Sequence, residues 1–291
     1  MIPHDIITST ANPRLREAAR LREAPARRDS GLTLVDGGRE VRRALAAGIQ
    51  LVDLFLDEAI LAQADAGRHD ADATGLPSGA DLDRWLTEVV TGGTRITLLS
   101  RPAFEKLAFG SRNEGCVGVV RFCPGPLADW TTLADRPVLI VEGVEKPGNL
   151  GAILRTADAA GLAGVIVCDA RTDPANPAVI RASLGTVFSV KLSSANVAET
   201  IEWCASTRRR VIAARPQGSI PWHRARLAGA TAILLGSEAH GISPAWEAAA
   251  DAGRIALESV HLPMHGAADS LNVSATAAVL AYESLRQAQA H

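Results

Sequence analysis

The chain has 291 residues, 47% of them hydrophobic and 21% charged, with a formal net charge of −2. That length and composition suit a soluble globular protein of two domains, and no apolar run is long enough to span a bilayer, which excludes a membrane protein of helical type. The four cysteines (Cys116, Cys123, Cys168 and Cys204) form no CxxC pair, which argues against a zinc site or a disulfide scaffold and for a reducing cytoplasm.

Residues up to about Arg28 read as one charged helix, with no apolar core and cleavage site of the signal-peptide kind. Arg14, Arg16, Arg20, Arg22, Arg27 and Arg28 stand there against Glu17 and Glu23. A strand follows (Leu32 to Val35), then a turn at Asp36-Gly37-Gly38 and a helix (Arg39 to Ala47) stopped by Gly48. Next come a strand (Leu51 to Leu56), a polar loop (67–81), a helix (Asp81 to Val90), a strand (Arg95 to Leu98), a helix (Arg101 to Ala108) and a strand (Cys116 to Phe122). This alternation predicts a small α/β domain over residues 1–122. Residues 123–136 are rich in Pro, Gly and Asp and read as a linker.

The alternation restarts in a second domain, residues 137–291. Its expected strands are Val138 to Glu142, Gly164 to Asp169, Val187 to Leu192, Arg210 to Ala214, Thr231 to Gly236 and Arg254 to Leu257. Helices are expected at Leu150 to Ala160 and Ser270 to Arg286. Strands this apolar imply a sheet covered on both faces, a doubly wound α/β layout with ligands at the carboxyl ends of the strands. Between Glu202 and Glu238 there is no acid, yet Arg208, Arg209, Arg210, Arg215, Arg224 and Arg226 fall there. Such a stretch can neutralise phosphates even in a chain of near-zero net charge, although a solvated face has the same composition.

Three loops carry the candidate chemistry. VEGVEKPGNLGAILR runs from a strand into a helix start, a place for anions or backbone contacts. It has neither the GxGxxG spacing of a dinucleotide fold nor the GK[ST] of a P-loop. GSEAHGIS (Gly236 to Ser243) and LPMHGAADSLNVS (Leu262 to Ser274) each follow an apolar run. Taken singly, each is a Gly-rich turn, with Ser270 or Asn272 available to cap the last helix. His261 and His265 have Pro263 between them and lack the HExxH glutamate, so no metal is expected. GSEAHG is not GxSxG, so no serine nucleophile is expected.

Together, and in this order, the loops resemble the three motifs of the SpoU/TrmH group of RNA 2′-O-ribose methyltransferases. Asn149, Gly151 and Arg155 match the first. Gly236, Glu238 and Gly241 match the second. Pro263, Met264, Gly266, Ser270, Leu271 and Asn272 match the third. RASLGTVFSV, from Arg181, resembles a segment between the first two, and the likeness covers about residues 136–288. ITSTANPRLREAARL and LTLVDGGREVRRALAAG resemble the family's companion RNA-binding domain, similar to a ribosomal protein. Asp36-Gly37 stands where Glu-Gly is usual, and Asn113-Glu114-Gly115 where a His-Gln-Gly-like segment is common.

The resemblance implies transfer of a methyl group from S-adenosylmethionine to a ribose 2′-hydroxyl of RNA, ribosomal RNA more than tRNA. The rival is a non-catalytic RNA-binding protein of the same fold. It implies a trefoil-knotted methyltransferase domain with a parallel-rich sheet, and a cytoplasmic homodimer free of metal and membrane. It implies that Arg155 positions the ribose and lowers its hydroxyl pKa, since an arginine stays protonated and is a poor base. Asn149, Ser270 and Asn272 would hydrogen-bond Arg155, the ribose or the cofactor, and Glu238 would orient loop two or balance the sulfonium charge. Leu235, Gly236, Gly241, Leu262, Met264 and Leu271 would hold the cofactor.

Overall fold

The computed structural model describes residues 6–108, 114–131 and 135–290. The first five residues, Asn113 of the Asn113-Glu114-Gly115 segment and residues 132–134 of the expected linker lie outside the described residues. The chain divides into two compact units, Met1–Cys123 with Ala175–Ser189, and Pro124–Pro174 with Val190–His291. No helix among the described residues is long and apolar enough to cross a membrane.

The first unit is built on a mixed five-stranded sheet of β1 (Ile6–Ile7), β2 (Leu32–Asp36), β3 (Leu51–Asp57), β4 (Arg95–Leu99) and β5 (Cys116–Arg121). Its order is β1-β4-β3-β5-β2, with β5 antiparallel to both neighbours and the other pairs parallel. Leu15, Leu34, Phe55, Leu99, Phe104 and Val117 form one of its core clusters. The expected single N-terminal helix is two, Pro13–Arg20 and Ala24–Ser30. Pro25 has no N–H to continue the ladder, so it fits only a first turn and forces a restart. The buried Arg27 donates from Nη1 to the carbonyls of Leu21 and Arg22, tying off the first helix. It is therefore withdrawn from the basic patch that the sequence suggested. The polar loop over 67–81 contains a short helix, Ala71–Thr74, whose N–H groups at Asp72 and Ala73 are capped by Asp70. Asp57 likewise caps an unforeseen helix, Glu58–Asp65.

Residues 175–189 pack within this unit. The Thr33 hydroxyl donates to the Ala175 carbonyl at 2.6 Å, and the Phe122 and Phe188 rings meet edge to face at 5.0 Å. Arg181 donates from Nη1 to Asp36 Oδ2 at 2.8 Å and pairs with Glu114 Oε1 at 3.5 Å. One arginine thus meets both positions where this chain departs from the usual pattern.

The second unit holds seven parallel strands, β6 (Val138–Glu142), β7 (Gly164–Cys168), β8 (Leu192–Ala195), β9 (Arg210–Ala214), β10 (Ile220–Pro221), β11 (Thr231–Leu235) and β12 (Leu257–His261). Their order is β10-β12-β9-β11-β6-β7-β8. Every residue of β6, β7 and β11 is buried, as a sheet covered on both faces requires. The register sets Leu139 beside Val165 on one side and Ile233 on the other.

Two expected strands move. Over Val187 to Leu192 the chain makes a 3₁₀ turn (Thr186–Phe188), and β8 begins only at Leu192. β12 starts at Leu257 rather than ending there, and its sequence LESVH has just two apolar residues, too weak a pattern to read. The last helix runs Val273–Gln289, and Asn272 caps it by accepting the Ser274 N–H. Ser270 therefore lies in the loop and not at the cap.

Candidate active site

The three motif loops leave the carboxyl ends of β6, β11 and β12. After β6 the chain enters the helix Pro147–Ala159 with proline in its first turn. After β11 it makes a tight turn in which Ser237 and Gly241 exchange backbone hydrogen bonds, both at 3.0 Å, and Ser237 Oγ accepts the His240 N–H. Gly241 needs its left-handed φ of 66°, whereas Gly236 is fixed by close approach, because a Cβ there would overlap the Gly241 carbonyl. The far end of this loop is pinned by Glu142, which accepts the Ser243 N–H at 2.9 Å and the Trp246 indole N–H at 2.8 Å. Burial pushes the Glu142 carboxyl up from its ordinary range, partly offset by these bonds.

Glu238 joins the three loops. Its carboxylate accepts from Lys146 Nζ at 2.9 Å, Asn149 Nδ2 at 3.1 Å and Asn272 Nδ2 at 3.1 Å. Asn272 Nδ2 also reaches Asn149 Oδ1 at 3.2 Å, and Asn272 Oδ1 accepts both the N–H and the hydroxyl of Ser274. The Lys146 bond holds the Glu238 carboxyl below its usual value, and Glu238 in turn raises Lys146. Of the expected polar residues, the fold thus brings Asn149, Glu238 and Asn272 into one network. Arg155 is set apart. It is exposed on the same helix as Asn149, and its side chain makes no hydrogen bond or ion pair among the described residues.

Leu235, Gly236, Gly241, Leu262, Met264 and Leu271 all line one cavity of about 230 Å³, with Glu238 and Ser270 also on its wall. A second hollow of about 330 Å³ shares Leu262, Met264 and Leu271 with it. Leu271 is 41% exposed, a large apolar side chain left open at the join. Together the two hollows are of the size that takes a cofactor. Walls with both apolar and polar groups fit S-adenosylmethionine, which carries a flat base as well as hydroxyl and charged groups. A further fit is Arg215, which lines the same cavity and whose buried Nε has no hydrogen-bond partner among the described residues.

Sequence reasoning assigned Arg215 to a phosphate-binding stretch and missed its place here, along with Ala214, Pro216, Asp269 and Thr276. The signal was available, since Arg215 directly follows a strand, as Gly236 and Leu262 do. The rest of that stretch divides. Arg209 is buried, donates to the Arg136 carbonyl and covers the Trp203 ring, and Arg210 bonds the Arg226 carbonyl and Thr231. Arg208, Arg224 and Arg226 stay exposed. His261 is engaged through Nδ1 with the Gly218 carbonyl at 2.6 Å.

Residues 136–282 match the SpoU rRNA Methylase family, and residues 12–118 match the MRM3-like substrate binding domain. The chain is 27% identical over 277 residues to the 23S rRNA (guanosine(2553)-2′-O)-methyltransferase of Bacillus subtilis, covering 95% of this chain and 97% of that one. It is 30% identical over 212 residues to a 23S rRNA (guanosine-2′-O-)-methyltransferase of Vibrio cholerae, covering 71% and 83%. Among solved structures, an RNA 2′-O ribose methyltransferase superposes with a TM-score of 0.74 at 34% identity, covering 98% of this chain and 100% of that one. An AdoMet-bound rRNA methyltransferase from Sinorhizobium meliloti shares the fold, with a TM-score of 0.81 at 24% identity over 97% and 98%. The chain belongs to the SpoU rRNA Methylase family, with an MRM3-like substrate binding domain ahead of its methylase domain.

Proposed function

We infer that this protein transfers the methyl group of S-adenosylmethionine to a ribose 2′-hydroxyl of ribosomal RNA. The observation that carries the reading is the Glu238 network, which ties all three family motifs together at the rim of one cavity. The ribosomal substrate rests on the relatives, whose names specify guanosine 2′-O-methylation of 23S rRNA.

The cofactor, when bound, supplies a methyl group on a sulfonium, ready for in-line displacement. The chain's own part is placement and electrostatics. Leu235, Gly236, Gly241, Leu262, Met264 and Leu271 hold the cofactor. Asn149 and Asn272, fixed by Glu238, present polar groups to the incoming ribose. Ser270, free in its loop, adds a hydroxyl. The Glu238 carboxylate sets a negative charge beside the sulfonium. Arg155, whose side chain has no partner among the described residues, meets the RNA and stabilises the developing alkoxide as a fixed cation, and the hydroxyl proton leaves to an RNA phosphate or to solvent rather than to Arg155.

In this reading residues 1–122 bind RNA, residues 123–136 link, and residues 137–291 carry out transfer. A homodimer, a cytoplasmic location and the trefoil knot of the family belong to the same proposal. The test is incubation of the purified protein with radiolabelled S-adenosylmethionine and ribosomal RNA lacking the modification, followed by mapping of 2′-O-methyl sites. Label confined to tRNA, or absent altogether while the protein binds RNA, would refute ribosomal RNA methylation.

A further inference from the structure

The residue that follows β9 opens a question that the family motifs do not answer. Arg215 is 26% exposed, lies on the cavity wall between Ala214 and Pro216, and is held from two sides. Its backbone N–H donates to the Val260 carbonyl at 2.9 Å. Its Nη1 is ion-paired with Glu247, which lies on the helix Ala245–Asp251. The turn behind it is closed by the Gly218 N–H on the Arg215 carbonyl at 3.1 Å. The guanidinium is thus braced, yet its Nε is buried without an acceptor among the described residues. A buried donor left unpaired carries a desolvation cost, so an acceptor supplied by a ligand, reached by a small shift of the side chain, offsets it.

Charge and topology narrow the acceptor. β11 lies between β9 and β6, so Arg215 is one strand removed from the loop that carries Glu238 and two from the helix that carries Asn149. The methyl-bearing sulfur must face that catalytic side, and a guanidinium beside a sulfonium is repulsive. The carboxylate Asp269 shares the cavity, which disfavours a second carboxylate there. The apolar neighbours Ala214, Pro216 and Leu235 suit a flat, neutral base.

We propose that Arg215, braced by Glu247, donates a hydrogen bond to the adenosine arm of the cofactor and so sets specificity for the nucleoside. This rests on the cofactor reading above, and the experiment separates the two. Calorimetry is run on the full-length protein with S-adenosylmethionine, S-adenosylhomocysteine and 5′-methylthioadenosine, which keeps the adenosine but lacks the amino-acid group. Arg215→Leu weakens all three alike, by roughly ten- to a hundredfold, as expected for a lost bond to a charged donor. Arg215→Lys, which keeps charge and bulk but lacks Nε, weakens them in the same way and guards against a folding defect in the leucine variant. Glu247→Gln gives a smaller loss of the same pattern.

Loss for the two amino-acid-bearing ligands with 5′-methylthioadenosine unaffected would move the contact to the carboxylate and overturn the assignment. Wild-type affinities in both Arg215 variants would remove Arg215 from the site and leave the cofactor reading standing. Failure of the unaltered protein to bind any of the three would bring down the cofactor reading itself.

Discussion

Loop two has two glycines required for different reasons, and substituting each separately tests the geometry of the site. A Cβ on Gly236 falls within 2.6 Å of the Ile242 nitrogen and overlaps the Gly241 carbonyl. The clash is with backbone, which has no rotamer to yield, and relief requires a displacement of about 1 Å, judged against ordinary contact distances. Forcing an extra carbon into such a contact costs about 1–3 kcal/mol, and a 1 Å misplacement of groups that align reactants can cost about a hundredfold in rate. Gly241 has open space around its Cβ position, so Gly241→Ala meets only the left-handed backbone, at a cost of about 1–2 kcal/mol. Gly241→Asn, a residue that visits that region, loses less. The expected order of methyl transfer is wild type, Gly241→Asn, Gly241→Ala and last Gly236→Ala, the last about a hundredfold down, with cofactor affinity following the same order. Single-turnover rates and calorimetry read both. If Gly236→Ala proves as active as Gly241→Asn, the loop is not seated as described and the close-approach argument fails.

Arg155→Ala is expected to keep cofactor affinity and lose most methyl transfer, and near-normal turnover would refute its role at the ribose. Leu271→Arg places a charge against the cofactor cavity and should abolish binding in calorimetry. Lys146→Ala removes the main influence that holds Glu238 low. Glu238 then stays protonated to higher pH, so the acid limb of the pH–rate profile shifts upward, and an unmoved limb would show that Glu238 ionisation is not needed. Burial raises the Glu40 carboxyl above its ordinary value of 4.5. The folded state therefore binds the proton more tightly than the unfolded chain, and stability falls as pH rises from 4.5 through the raised value. Glu40→Gln flattens that fall in urea titrations run across the range, and an unchanged slope would count against the assignment.

The sheets were legible because burial writes itself into sequence. VLIVE, GVIVC and TAILL are continuous apolar runs, and each is a central strand with every residue buried. β12 was misplaced because an outer strand with LESVH carries little of that signal. The 3₁₀ turn at Thr186–Phe188 was read as a strand because TVF has strand-like residues, and its packing within the first unit is a long-range fact. At the site, residue types and loop order gave Asn149, Glu238 and Asn272, but nothing in the spacing shows that Lys146 joins them. Arg215 was hidden for a different reason. Arginine after arginine over 208–226 looks like one surface, and only the fold separates buried braces such as Arg209 from exposed cations such as Arg224.

That separation bears on how the site stays ready for an anionic substrate. A catalytic arginine beside a free carboxylate would be captured by it, and RNA would then have to displace an ion pair before docking. Here the acid is already committed. Glu238 takes a lysine from the first loop and an asparagine amide from each of the first and third. Each bond is modest at this exposure, and an isolated surface pair contributes little. Three donors from the two other loops nevertheless fix one carboxylate against both of them. Arg155 is left exposed, and its side chain has no partner among the described residues. In the proposed function the Glu238 network holds the three loops together, and Arg155, farther along the helix of the first loop, meets the RNA.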